Sequence, residues 1–187
     1  MNVLQRLKHE TADAHARIEQ VFDLEARTGS EIAYRELLGR FYGFHVVWEP
    51  RVEAALDHPA FFHERRKTPL LIRDLRTLGT GDDEIERLSL CDAHLPLRSS
   101  AEAFGSLYVI EGSTLGGTII ARQIGRRLGL GINTGCSYFR CYGDQVGPMW
   151  KAFGAELLMR TRSHDEDVVI ASANRTFSVL HAWLFPS

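Results

Sequence analysis

The sequence predicts an all-α protein, and three observations carry that prediction. Apolar residues recur at spacings of three and four through successive stretches of the chain, the period of a helix buried on one face. Serine, threonine, proline and glycine fall where helices start and stop. No stretch alternates apolar and polar residues as a half-buried strand requires. At 187 residues, 44% hydrophobic and 25% charged, the composition is that of one globular domain, expected to span residues 1–187 and to hold six to eight helices.

Leu4, Leu7, Thr11, His15, Ile18 and Phe22 mark one face of a first helix and put His15 on its buried stripe. Lys8 lies two turns before His15, and Glu19, one turn after it, is placed to orient the second ring nitrogen. Residues 23–30 read as a loop ending in an N-cap, Ser30. A second helix runs over 31–56 with Leu37, Leu38, Phe41, Phe44, His45 and Trp48, and Pro50 is expected to kink or divide it. His45 reads as a core or rim histidine, and Arg65, Arg66 and Lys67 as a solvated helix end. Thr68 and Pro69 open the next helix as N-cap and first position, and Gly79 stops it. Residues 81–90 form a short acidic turn or helix, and 91–98 a connector. Ser99-Ser100-Ala101-Glu102 is a capping-box pattern opening a long helix to Leu128. A glycine-rich loop over 129–135 precedes helices over about 144–162 and 165–184.

The long helix carries an anomaly. Gly112, Gly116 and Gly117 put three glycines into six residues, at a cost of about 1 kcal/mol each relative to alanine. Gly105, Gly112 and Gly116 share a face, so the helix is bare along one strip and bendable there. Such a strip admits either another helix or a flat ligand. A membrane-helix dimer is excluded, because Glu111, Arg122, Gln123, Arg126 and Arg127 interrupt the apolar run.

Composition narrows the function. A net charge of −2 gives no pull toward nucleic acid or anionic membrane. The charged start, residues 1–10, lacks the apolar core of a signal peptide, and no apolar run spans a bilayer. Cys91, Cys136 and Cys141 are odd in number and lack metal spacing, so free thiols and a cytoplasmic location are expected. There is no G-x-S-x-G elbow, phosphate loop, paired Glu-x-x-His or zinc pattern.

What is left is one histidine on a helix face and one bare helix strip. Together they can sandwich a flat ligand. Heme meets that description, because its iron takes an axial imidazole and its macrocycle needs flat walls. Its propionates want a cation or a phenol at the rim, for which Lys8 and Tyr108 are available. Plainer readings stand beside these: a core histidine, a snorkelling surface lysine and a core tyrosine.

The sequence resembles a known family. Leu7-Lys8-His9-Glu10-Thr11-Ala12-Asp13-Ala14-His15, followed by Glu19, is similar to the proximal helix of heme oxygenases. Glu111-Gly112-Ser113-Thr114-Leu115-Gly116-Gly117 is similar to their distal glycine signature in its bacterial form. Met149-Trp150-Lys151-Ala152-Phe153 and Thr176-Phe177-Ser178-Val179-Leu180 resemble late helices of bacterial members, notably those supplying bilin to bacteriophytochromes. The resemblance implies a helical bundle with heme between a proximal and a glycine-kinked distal helix. It implies cleavage of heme b, at once substrate and cofactor, by O2 and electrons to biliverdin, CO and ferrous iron. The ring is hydroxylated at a meso carbon by its own iron-bound hydroperoxide. It further implies His15 as the axial iron ligand, Glu19 beside it, Lys8 and Tyr108 at the propionates, and Gly112, Gly116 and Gly117 on the distal face. Phe177 joins the binding set, and Gly112, Ser113 and Gly116 the catalytic one. Ser113 is a departure, since many animal members carry an acid there. An external reductase or ferredoxin is expected as electron donor, and a bacteriophytochrome as bilin acceptor.

Three rival readings keep the helical fold: a heme carrier without turnover, a thiaminase-like enzyme acting on a small aromatic substrate without heme, and a purely structural or interaction domain in which the glycines serve packing.

Overall fold

The computed structural model describes residues 1–186. Among these the chain forms ten α-helices and no strand. The first three are α1 (Val3–Glu10), α2 (Ala12–Val21) and α3 (Leu24–Thr28). The long α4 (Glu31–Ala55) is followed by the single turn α5 (Ala60–His63), then α6 (Thr68–Thr77) and α7 (Asp82–Glu86). The longest helix is α8 (Ser100–Leu128), and α9 (Val146–Arg160) and α10 (Glu166–Leu184) complete the order. No helix among the described residues is long and apolar enough to cross a membrane.

The caps explain the main boundaries. The Ser30 hydroxyl accepts from the Ala33 N–H and opens α4; the Ser99 hydroxyl accepts from the Glu102 N–H and opens α8. Gly129 closes α8 at φ 69°, a left-handed conformation that glycine adopts without steric cost.

The most extensive helix pair is α8 with α10. Gly105 makes it possible: a Cβ there would lie 2.1 Å from the Val169 carbonyl oxygen. The crossing is pinned by Ser172 Oγ donating to the Glu102 carbonyl at 2.6 Å. Ser106 Oγ, buried between the helices, accepts from Trp48 Nε1 at 2.7 Å and from Thr176 Oγ1 at 2.8 Å. The apolar interior has two parts. One gathers Leu7, Phe44, Trp48, Leu107, Phe153 and Phe177. The other gathers Tyr34, Leu71, Leu75, Ile124 and Phe139, and Phe41 touches both.

Four expectations are corrected. The first helix breaks at Thr11, whose hydroxyl turns back to the Leu7 carbonyl at 2.7 Å. Residues 24–28 of the expected loop are helical, capped by Asp23. Pro50 does not divide α4, because buried Glu49 and Val52 flank its exposed ring and carry the helix through. Thr68 is not the cap of α6. Lys67 holds that position, and the cap is tertiary: Glu49 of α4 accepts from the Lys67 and Thr68 N–H groups at 2.6 and 2.9 Å.

Candidate functional site

Two ties hold α2 and α3 alongside α8. The Tyr108 phenol on α8 meets the Thr11 side chain at the start of α2. Near the other end of α8, the Arg127 guanidinium pairs with Glu25 of α3. His15 on α2 and Leu115, Gly116 and Ile119 on α8 are exposed, and Gly112 is half-buried. The His15 side chain is 57% exposed. Ile119 is 62% exposed, Leu115 is exposed, and a Cβ at Gly116 would meet nothing within 4 Å. Exposed apolar side chains around a bare helix turn give α8 an open apolar face there.

His15 is therefore not on the buried stripe. The inward line runs Leu7, Thr11, Ala14, Ile18, and Ala14 takes the place expected of His15. The next position is turned about 100° around the axis, which carries the imidazole out of the interior. Its ring stands edge-on to Phe177 of α10, centroids 5.8 Å apart and planes at 88°. Glu19 Oε2 lies 3.5 Å from His15 Nδ1. A carboxylate beside Nδ1 favours a proton on that nitrogen and leaves Nε2 with a free lone pair.

The distal residues divide. Gly116 is open, and Gly112 is half-buried with the Trp150 ring 3.7 Å from its virtual Cβ. Gly117 does not share that open face: it is buried, with its virtual Cβ 3.3 Å from the Phe139 carbonyl oxygen. One residue turns a helix by about 100°, enough to move it from the open face to the interior. Ser113 is exposed and its hydroxyl donates to the Ile110 carbonyl at 2.7 Å. Tyr108 stands half-buried against Trp150, centroids 5.7 Å apart, and burial pushes its phenol pKa up. Lys8, in the last turn of α1, is exposed.

The largest surprise lies behind the strip. Arg65 and Lys67, read from sequence as a solvated end, are fully buried; only Arg66 of the trio reaches the surface, where it pairs with Glu53. The buried Glu111 carboxylate, one residue before Gly112, pairs with Arg65 Nη1, accepts from Tyr142 Oη at 2.8 Å and lies 3.6 Å from Lys67 Nζ. Lys67 Nζ also donates to Tyr142 Oη at 2.6 Å. Arg65 stacks on the Phe61 ring at 4.3 Å. His45 Nδ1 lies 3.4 Å from Glu49 Oε1, and its Nε2 is 3.2 Å from Tyr138 Oη. The sequence marked Glu111 as the first residue of the glycine stretch but not its buried pairing, because these partners lie 46 and 31 positions away.

These buried groups make stability depend on pH. Burial pushes the His45 ring pKa below its usual value. Burial alone would raise the Glu49 carboxyl, but His45 and the Lys67 and Thr68 N–H groups outweigh it and hold it low. Both sites bind protons less well folded than unfolded, so the stability they confer is present above the unfolded pKa, about 6.5 for histidine. It is lost as pH falls. Asp74, pushed up by burial, acts in the opposite sense at lower pH, so the His45 window is the cleaner one. Denaturant midpoints are expected to decline from pH 7.5 to 5.5, by at most about 1.4 kcal/mol per pH unit from one group, and His45→Gln is expected to flatten the decline. A flat wild-type profile would contradict it.

The chain is thus an all-α protein with an exposed imidazole on α2 and a bare, open turn on α8. The family model described as heme oxygenase matches residues 1–185, and the chain belongs to the heme oxygenase family. A heme oxygenase of Xanthomonas campestris is 37% identical over 123 residues, covering 64% of this chain and 68% of the relative. The NO- and CO-bound heme oxygenase of Neisseria meningitidis superposes with a TM-score of 0.77 at 20% identity, over 98% of this chain and 92% of that one. Heme oxygenase-1 of the cyanobacterium Synechocystis in complex with heme does so with a TM-score of 0.71 at 16% identity, over 98% and 91%. At those identities the superpositions show the shared all-α fold.

Proposed function

We propose that residues 1–187 act as one domain that binds heme b and cleaves it, with O2 and electrons from an external donor, to biliverdin, CO and ferrous iron. The observation that supports this reading is the exposed His15 ring, edge-on to Phe177 and near Glu19, on the same helical scaffold as the bare turn at Gly116, the two being read as opposite walls of one heme cleft. His15 Nε2 ligates the iron, and Glu19 orients the ring. Leu115 and Ile119, both exposed, would supply apolar wall, and Gly112 and Gly116 would offer backbone rather than side chain to the bound group. Lys8 and Tyr108 serve the propionates. When bound, heme supplies the iron that activates O2.

Ser113 contributes little. Its proton is committed to the Ile110 carbonyl, so it does not donate into the cleft, and Ser113→Ala is expected to turn over like the wild type. The electron donor docks near Arg122 and Arg126, exposed on α8 past the strip; Arg127 is engaged by Glu25 and Arg65 and Lys67 are buried. An acidic ferredoxin or reductase suits that face, and a bacteriophytochrome is the bilin acceptor.

Titrating hemin into the protein, then adding ascorbate and O2 with catalase present, tests the reading by absorption spectra. A one-to-one Soret band that gives way to a broad red bilin band is expected. A Soret band that persists under both ascorbate and a protein reductant would make the protein a carrier. No Soret band would remove heme altogether.

A further inference from the structure

We infer that Glu111 is a positioning residue for heme cleavage: clamped by Arg65, Lys67 and Tyr142, it fixes the rotation of the α8 turn that presents Gly112 and Gly116, and thereby which part of the ring lies open to attack. The inference rests on the heme-cleaving reading above.

The strip needs an external anchor. Three glycines in six residues remove the side chains that normally lock a helix in its packing. On the cleft side nothing lies within 4 Å of a Cβ at Gly116. The restraint must come from the opposite face, and there the only charged residue of this turn is Glu111, 1% exposed. Its three partners come from the α5–α6 connection, where Arg65 and Lys67 lie, and from the loop after α8, where Tyr142 lies. Ties from two directions oppose rotation about the helix axis.

The geometry is sensitive to such rotation. Backbone atoms sit about 2.3 Å from a helix axis, so a turn of about 10° moves them by about 0.4 Å. That is a large fraction of the gap between a backbone wall and a ligand in contact with it.

Simple stabilisation is a weaker account. Buried ion pairs often contribute no more than well-packed apolar residues would, and their best-attested use is to specify register. Arg65 fits that use: its Nε and Nη2 have no hydrogen-bond partner among the described residues, so Glu111 is the anion that holds its charge in place.

Glu111→Gln tests the inference, with Leu75→Ala as a control that loses buried volume in the other apolar cluster without touching the Glu111 clamp. Hydrogen exchange of residues 107–120 is followed first in the protein without heme, at matched distance below each melting temperature. Exchange there is expected to accelerate at least about tenfold in Glu111→Gln and not in the control. The biliverdin isomer ratio and the ferric spin-state spectrum of the hemin complex are then compared. Glu111→Gln is expected to change the isomer ratio at least about twofold and shift the spectrum, whereas Leu75→Ala keeps both. A variant with wild-type exchange, ratio and spectrum overturns the inference while the heme reading stands. Changes shared equally by the control overturn it too, as global loosening. A wild type that forms no hemin complex overturns the heme reading, and this inference with it.

Discussion

Replacing His15 by alanine is expected to abolish the axial imidazole and reduce bilin formation by at least about 100-fold. Loss of an outer partner of a metal-bound histidine already costs about 10- to 100-fold, and this change removes the ligand itself. The fold should survive, because the ring is 57% exposed and its neighbour Ala14 carries the inward packing. The melting temperature of the protein without heme therefore stays close to wild type, while the Soret band of the hemin complex loses its imidazole character. Added imidazole is expected to restore that band in part. Turnover at wild-type rate in His15→Ala would remove His15 from the site.

The second large effect contrasts two glycines of one helix. Gly105→Ala drives a methyl group to 2.1 Å from the Val169 carbonyl oxygen and 2.9 Å from Ser172 Cβ. Both belong to α10, and a backbone atom cannot swing aside. The cost is expected at the upper end of overpacking, about 3 kcal/mol, or about 6–12 °C in melting temperature for a chain of this size. Gly116→Ala, about three turns along, meets nothing within 4 Å. It is expected to stabilise the protein without heme by about 0.5–1 kcal/mol through helix propensity, yet to weaken hemin binding and slow turnover by narrowing the cleft. Calorimetry and hemin titration on the two variants separate the cases. A stabilised Gly105→Ala, or a Gly116→Ala that binds hemin like the wild type, would contradict the assignment of packing to one and ligand space to the other.

That contrast shows where the sequence was legible. Local signals held: Ser30 and Ser99 cap the helices they precede, Gly129 ends α8, and the period of three and four fixes an all-α fold. The glycines were visible as a group, but their division among α10, Trp150, open space and Phe139 depends on what surrounds each one. His15 was found as a ligand candidate through its sequence context and misplaced by one position on the face. A stripe of Leu7, Thr11 and Ile18 fits Ala14 and His15 equally well, and only α10 chooses between them. Arg65 and Lys67 defeated sequence reading for a different reason. Consecutive basic residues next to a helix start are ordinary surface, and what buries these is Glu111 together with Phe61 and Tyr142. Thr68 likewise looked like a cap because its true substitute, Glu49, arrives from another helix.

The dependence of the cleft on α10 has a consequence for the order in which the protein is made. The imidazole of His15 emerges among the first residues, while Phe177 beside it and the Val169 turn that Gly105 fits are among the last. At about 5–20 residues per second, the growing chain carries His15 well before the helix that its ring packs against. Until α10 is released, Ala103, Leu107 and Phe153 lack the helix that completes their cluster. A fragment that bears His15 but ends before α10 is therefore expected to bind hemin more weakly than the whole chain.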